Sequence, residues 1–386
     1  MTDNIDKKYM KRAIELAAKS GGYVNPNPHV GAVIVKDGRV IGEGRHERYG
    51  QLHAERNALA AVTEDPRGAA MYVTLEPCCH YGKTPPCTEA IMEAGIAKVI
   101  IGSDDPNPLV AGKGAGILRD AGIEVIEQFM KEECDKLNPS FFHYITTGLP
   151  YVTLKYAMTI DGKIAASTGE SQWITGPAAR ARVHEERAKH TGIMVGIGTV
   201  LKDDPSLNVR DAEGPDPVRI ILDSRLRTPL GSKVVETAAL APKGQEPQET
   251  VFTAGDTRYP RTIIATLVDD EENLAPYKAA GCATILCEDD GSGHIDLPDL
   301  MKKLGKMKVD SIFMEGGSEA AWGALSSGIV DHVQAFIAPK LFGGADSKSP
   351  VGGAGVPYPK DAIMLQDLTI EYVGPDLLVQ GDIERR

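Results

Sequence analysis

His53 and Glu55 open one apolar helical stretch, HAERNALAAV, and Cys78 and Cys87 follow a β-rich run, AMYVTL. If these four side chains serve one site, the start of a helix must lie beside the end of a strand. No other feature limits the possible folds so strongly. One imidazole and two thiolates suit a tetrahedral metal ion with a position left for water. A carboxylate two residues past the imidazole can reach that water and a leaving amine rather than the metal. Two plainer readings compete. The four residues could be an ordinary helix start plus buried thiols, or a closed structural zinc site with Cys79 or His80 as the fourth ligand. Successive side chains diverge in extended backbone, which disfavours Cys78 and Cys79 on one ion.

The pattern around these residues alternates strands with helices. Met10, Ala13, Ile14, Ala17 and Ala18 share a helical face, with Asp6 placed to cap the start and Gly21-Gly22 to end it. GAVIVKDGRVIGEG reads as a hairpin, because Asp37-Gly38 suits the positive φ angles of a tight primed turn. The strand AMYVTL, the helix TEAIMEAG and the strand AKVIIGS come next, and then the helix-strand pair GILRDAGIEVI. Such alternation predicts α/β layers. Gly148 and Pro150 punctuate TTGLPY, which sets a boundary between a first domain at 1–147 and a second at 148–386. The second half alternates again through GIMVGIG, PVRIILD, RTIIATL, LPDLMKKLG, SIFMEGG and HVQAFIA. Residues Gly231 to Glu249 read as a surface insertion.

Charge narrows the function. The formal net charge is −12, which argues against non-specific binding to nucleic acid or anionic membrane. No run approaches the roughly 20 apolar residues of a membrane span, and the charged N-terminus is not a secretory signal. Of 6 cysteines, Cys78, Cys79 and Cys87 cluster while Cys134, Cys282 and Cys287 scatter, as in a metal site plus buried thiols. A cytoplasmic protein is expected. Its expected partners are a small molecule and further copies of the chain, with neither nucleic acid nor membrane.

The H-x-E pair and the cysteines resemble the cytidine/nucleotide deaminase superfamily, with its H-x-E and P-C-x-x-C pattern. This chain departs from it by the insert CHYGKTPP between Cys78 and Cys87, read here as a substrate loop. NPNPHVGAVIV, HAE, TLEPCCHYGKTPPC and DPNPLVAGKG together are similar to the deaminase half of the bifunctional riboflavin-biosynthesis deaminase/reductases. YVTLKYAMTIDGKIA, TGESQWITG, VGIGTVLKDDPSLNVR, FMEGG and APKLFGG resemble their reductase half. The resemblance implies a cytidine-deaminase-like α/β/α sandwich followed by a dihydrofolate-reductase-like α/β domain. It also implies two reactions. A diaminopyrimidinone ribosylamino 5'-phosphate is deaminated with zinc, and NADPH then reduces the ribosyl group to ribityl.

Site residues follow from the same resemblance. His53, Cys78 and Cys87 would hold zinc, and Glu55 would move protons. Asn27, His46, His80, Lys83, Asp105 and Asn107 would contact the first substrate. Asn27, Asp105 and Asn107 could equally be turn formers, and lone histidines are more often structural. In the second half Lys155 would be catalytic. Ser171, Arg187, Leu207, Arg210 and Glu315 would contact the substrate, the two arginines suiting bidentate phosphate recognition. Arg187 could instead sit on a solvated helix face, and Trp173 could be a core aromatic. Ala157, Trp173, Thr199 and Asp203 would contact NADPH. So would Gly317, Ser318, Glu319, Ala320, Ala321, Trp322 and Gly323, where a strand ends in Gly-Gly and a helix start offers free N–H groups to phosphate. No G-x-G-x-x-G fingerprint is present. A nucleic-acid adenosine deaminase with an added domain and a non-catalytic zinc-scaffolded binding protein are the alternatives. The acidic charge opposes the first, and the presence of Glu55 and Lys155 opposes the second.

Overall fold

The computed structural model describes residues 2–239 and 260–385, and the chain divides into two units, Met1–Gly148 and Leu149–Arg386. In the first unit α1 (Thr2–Ala17) is followed by β1 (Gly31–Lys36), β2 (Arg39–Arg45), α2 (Ala54–Ala60), β3 (Ala70–Leu75) and α3 (Cys87–Glu93). Then come β4 (Lys98–Ser103), α4 (Lys113–Asp120), β5 (Glu124–Ile126), α5 (Lys131–Asp135) and α6 (Pro139–Thr147). The sheet runs β2-β1-β3-β4-β5. The β1–β2 hairpin turns at Asp37 and Gly38, both with positive φ, as Asp-Gly predicts.

Strand alternation gives this sheet two apolar faces. Ala32, Ile34, Met71, Val73, Val99 and Ile101 pack under α2, α3 and α4, with Phe141 from α6. Val33, Val35, Tyr72 and Ile100 pack under α1 and against Cys134 of α5. The expected α/β/α sandwich is borne out. Asp6 does not cap α1. The helix begins earlier, at Thr2, and the Asp6 carboxylate accepts the Tyr72 hydroxyl.

Glycine lets α2 approach the sheet. A Cβ at Gly44 would lie 2.2 Å from the Ala58 nitrogen and 2.5 Å from the Ala54 carbonyl oxygen, both helix backbone. Gly44→Ala should therefore push α2 off β2. Overpacking of this kind costs about 1–3 kcal/mol or more, so the thermal midpoint of the first unit should fall by several degrees. An unchanged midpoint would show that α2 yields freely.

The second unit comprises β6 (Tyr151–Thr159), α7 (Pro177–Lys189), β7 (Gly192–Gly196), α8 (Ile197–Asp203), β8 (Val218–Leu222) and α9 (Lys233–Glu236). It continues with β9 (Thr262–Thr266), α10 (Glu271–Ala279), β10 (Ala283–Leu286), α11 (Leu297–Lys306), β11 (Ser311–Glu315) and α12 (Ser318–Ser326). β12 (His332–Ala338), β13 (Leu365–Val373) and β14 (Asp376–Ile383) complete it. The sheet order is β10-β9-β8-β7-β11-β6-β12-β14-β13, parallel from β10 to β12 and antiparallel beyond. One face packs on α11 and α12, and the other on α7 to α10. The surface-insertion reading fails for its first part. Val234 and Val235 of α9 are 0% and 1% exposed and join the core under β7–β9. Residues 240–249 of that stretch lie outside the described residues.

Candidate functional site

In the first unit, His53 caps α2 in extended backbone, and its carbonyl accepts the Asn57 N–H at 2.9 Å. The Asn57 amide donates to the Arg45 and Leu52 carbonyls at 2.8 and 3.2 Å, tying the incoming loop to the helix. Cys87 begins α3. Its N–H donates to Cys78 Sγ at 3.4 Å, and the next N–H, of Thr88, donates to the Cys78 carbonyl at 3.2 Å. Arg56 of α2 donates to the carbonyls of Pro85 and Pro86 at 3.1 and 2.8 Å, which anchors the end of the insert.

These bonds bring Cys78 Sγ and Cys87 Sγ to 3.4 and 3.5 Å from His53 Nδ1. One ligand atom from each residue lies within 4.8 Å of the others, and among the described residues this is the group able to hold a metal ion. The donor set fits zinc. Cys79 lies outside it, with its Sγ directed at the Leu109 carbonyl at 3.7 Å. Cys87→Ser should therefore lose zinc from the purified protein, whereas Cys79→Ser should keep it, as metal analysis would show. The opposite result would move the third ligand to Cys79.

Glu55, in the first turn of α2, is only 3% exposed. Burial raises its carboxyl to about 7, helped by Cys78 and opposed by His53. The hydrogen bond with Cys87 lowers the Cys78 thiol against the effect of burial, to about 4 with the help of His53, and Cys87 is raised in turn. Both sulfurs must be thiolates to hold zinc, so metal binding here releases a proton.

Asn27 and His46 meet beside this cluster, and the His46 ring stands edge-on to that of His53 at 5.2 Å between centroids. His46 Nδ1 lies 3.0 Å from the Leu52 carbonyl, so Nδ1 carries the proton. Nε2 then accepts from Asn27 Nδ2 at 3.2 Å, and the Asn27 oxygen is the end that His46 does not engage. Burial lowers the imidazole to about 4 and keeps it neutral. Both His46 ring nitrogens thus have protein partners, Asn27 and Leu52. Lys83 is exposed, with Nζ 4.6 Å from the centre of the Tyr49 ring, and His80 buries an Nδ1 that has no partner. Asp105 and Asn107 form successive turns, accepting the N–H groups of Asn107 and Leu109 at 2.8 and 3.0 Å. Sequence reasoning missed Glu76. Its buried carboxylate accepts the Gly112 and Ala115 N–H groups at 2.9 and 3.0 Å and fixes the start of α4. Nothing local in TLEP signals that distant partner.

The second unit holds a cavity of about 1460 Å³ along the C-terminal ends of its parallel strands, where open α/β sheets bind ligands. Lys155 and Ala157 of β6, Glu315 of β11 and Arg187 of α7 line it. Glu315 grips Arg187 at 2.5 and 3.1 Å, and Lys155 Nζ lies 3.6 Å from the same carboxylate. Burial alone would raise Glu315, but Arg187 and Lys155 outweigh it and hold the carboxyl at about 2. Burial lowers Lys155, and Glu315 partly restores it. Arg187 is thus an inward anchor and not part of a solvated helix face.

Ser171, Thr199, Asp203, Leu207 and Arg210 line the same cavity. Trp173 does too, 60% exposed under the Arg180 guanidinium at 4.6 Å, so it is no core aromatic. Gly317 caps α12, and Gly317, Ser318, Glu319, Ala320, Trp322 and Gly323 face the cavity. Ala321 is the exception. It is 3% exposed in the core beneath α12, because it lies on the helix face turned to the sheet. Arg180 of α7 and Arg225 and Arg227 after β8 also line the cavity and were not singled out from sequence, since a single arginine carries no local signal.

A family model described as the cytidine and deoxycytidylate deaminase zinc-binding region matches residues 3–103, and one described as the RibD C-terminal domain matches residues 150–379. The riboflavin biosynthesis protein RibD of Actinobacillus pleuropneumoniae is 50% identical over 374 residues, covering 97% of this chain and 94% of that protein. Its counterpart in Aquifex aeolicus is 41% identical over 380 residues, 98% and 99% of the two chains. The solved structure of Acinetobacter baumannii RibD, form 1, matches with a TM-score of 0.83 at 36% identity, over 99% of this chain and 100% of that one. A Thermotoga maritima structure described as a diaminohydroxyphosphoribosylaminopyrimidine deaminase/5-amino-6-(5-phosphoribosylamino)uracil reductase matches with a TM-score of 0.78 at 38% identity, over 99% and 100%.

Proposed function

This chain belongs to the RibD family of riboflavin-biosynthesis proteins, and from that premise we propose how its own residues carry out the family's two reactions. The protein is a bifunctional enzyme, a zinc-dependent deaminase joined to an NADPH-dependent reductase. The convergence of His53, Cys78 and Cys87 beside a buried Glu55 carries the first assignment.

His53, Cys78 and Cys87 would hold zinc, which when bound supplies a water acidified toward neutral pH. Glu55 takes a proton from the attacking water and delivers it to the ring nitrogen. It then carries a proton to the departing amine, so a C–N bond is exchanged for a carbonyl and ammonia leaves. Asn27, held by His46, orients the pyrimidine through its amide oxygen. Lys83, on the exposed insert, meets the phosphate as a mobile point charge.

In the second unit NADPH, when bound, would supply the hydride that reduces the opened ribosyl group. Lys155 orients the sugar hydroxyls and steadies charge in that step. Glu315 holds Lys155 and Arg187 in place, and Arg210 offers a guanidinium to the substrate phosphate. The Gly317 turn and the first N–H groups of α12 receive the cofactor pyrophosphate.

Among the described residues no helix is long and apolar enough to cross a membrane. We read the protein as a cytoplasmic homo-oligomer acting on a free small molecule. The net charge of −12 supports the last point, and six cysteines outside any disulfide support a reducing compartment. The direct test is to incubate the protein with the diaminopyrimidinone phosphate, with and without NADPH, and follow ammonia and cofactor absorbance. Ammonia should appear in both cases, and NADPH loss should trail it. NADPH loss that precedes ammonia would overturn the order of steps.

A further inference from the structure

Arg187 and Arg210 line the reductase cavity, and a neutral residue behind them, outside the cavity lining, touches both. Asn208 accepts Arg187 Nη1 on its backbone carbonyl at 3.1 Å and Arg210 Nη1 on its side-chain Oδ1 at 3.0 Å. We propose that Asn208 is a positioning residue for the reduction: it sets the spacing of Arg187 and Arg210 for one substrate phosphate and, being neutral, leaves the charge of Arg210 undiminished. The inference rests on the reading that these arginines receive that phosphate.

The loop after α8 gives Asn208 little freedom to do otherwise. Leu207 has φ +50° and is 3% exposed in the core under β7–β9. The Val209 N–H donates to the Asp216 carboxylate at 2.8 Å, and Arg261 holds that same carboxylate at 2.9 Å. The Arg210 N–H donates to His184 Nδ1 at 3.3 Å, and His184 lies on α7 one turn before Arg187. The residues flanking Asn208 are thus tied to the core, to an ion pair and to the helix that carries Arg187. Oδ1 is the only side-chain atom of asparagine that accepts readily, so the bond to Arg210 fixes which way the amide points.

Donors and charge show what is left for a ligand. A guanidinium carries five N–H groups. Arg187 directs two of them at Glu315 and one at Asn208, and Glu315 also neutralises its charge. Arg210 directs one at Asn208 and makes no ion pair with a carboxylate among the described residues, so it keeps both its charge and most of its donors. Phosphate recognition by arginine needs the planar fork in a set orientation and the charge undischarged. An aspartate at position 208 would offer the same Oδ1 but would pair with Arg210 and repel the phosphate. Asparagine supplies the orientation without the counter-charge.

The test uses the full chain, with ribose 5-phosphate and ribose as calorimetric probes and the deaminated substrate in the reduction assay. The unaltered protein should bind ribose 5-phosphate more tightly than ribose. Asn208→Ala should weaken ribose 5-phosphate binding by about tenfold, as expected when a charge-assisted hydrogen bond loses its alignment. The KM for the deaminated substrate should rise by a similar factor, with little change in kcat or in the KM for NADPH, the mark of lost uniform binding. Asn208→Asp should weaken ribose 5-phosphate at least as much, although it keeps Oδ1. A residue that only fixed the loop predicts the reverse: the aspartate, bonded more strongly to Arg210, would bind like the unaltered protein. That result, or unchanged affinity in Asn208→Ala, would overturn the proposal. The aspartate has the shape of the asparagine, so it should fold even if Asn208→Ala does not, and its affinity alone then decides. An unaltered protein that binds ribose 5-phosphate no better than ribose would instead overturn the phosphate reading of these arginines, and the inference with it.

Discussion

Glu55→Gln should lower ammonia release by about 10²–10⁴-fold, the usual worth of a positioned proton-transfer group, while zinc stays bound. The amide keeps the shape of the side chain in a site where Glu55 is only 3% exposed, so packing around α2 should survive. It cannot accept the water proton or return one to the amine. His53, Cys78 and Cys87, the residues that would hold the metal, are all unaltered. NADPH oxidation with already deaminated substrate should be normal, since Lys155 and Glu315 belong to the other unit. Three readouts on one preparation decide the matter: ammonia, zinc content and cofactor absorbance. Near-normal deamination, or loss of zinc, would remove the proton-carrying role from Glu55.

Lys155→Met should do the converse. Reduction should fall by about 10²–10³-fold, the range seen when one oriented electrostatic group is taken from a transition state. Ammonia release should not change, and NADPH affinity should change little, because the loss falls on the reacting sugar rather than on the bound cofactor. The fold should tolerate the exchange. Methionine fills a similar volume over the Phe336 ring, and Glu315 keeps both its bonds to Arg187. Glu315→Gln is the harsher change, since it leaves Arg187 buried without its carboxylate, at a cost of about 3–5 kcal/mol. That cost depends on pH with a definite sign. The folded value of Glu315, about 2, lies below its ordinary value of 4.5. Its ion pairs therefore contribute stability above about 4.5, and the contribution is lost as pH falls toward 2. The difference in melting temperature between the two proteins should narrow across that window. A constant difference would mean that the Glu315 charge is not what stabilises the unit.

Much of this site was legible because its chemistry is written at short range. The H-x-E pair, the two cysteines after a strand and the Gly-Gly turn before a helix each depend on neighbours a few residues away. The Asp37-Gly38 turn and the strand alternation that sends Leu154 to the core and Lys155 to the cavity are equally local. Spacing alone fixes which face of a helix or strand such a residue occupies.

Partners far apart in the chain are another matter. Glu315 meets Arg187 across 128 residues, and Asn27 meets His46 across 19 with a carbonyl at Leu52 deciding which imidazole nitrogen accepts. Asp6 bonds to Tyr72 instead of capping its helix, and Val234 and Val235 sit in the core despite a polar sequence around them. Ala321 turns inward while its neighbours Ala320 and Trp322 face the cavity. Arg225 and Arg227 reach the cavity only because β8 lies next to β7 in the sheet. The sequence by itself determined most of the element types and their order, and it pointed to His53, Cys78 and Cys87 as candidate metal ligands, since these follow from backbone propensity, periodicity and ligand chemistry. The tertiary structure alone decided strand order, ion-pair partners and which side chains share a cavity, because these are set by the packing of whole elements, which no local pattern encodes.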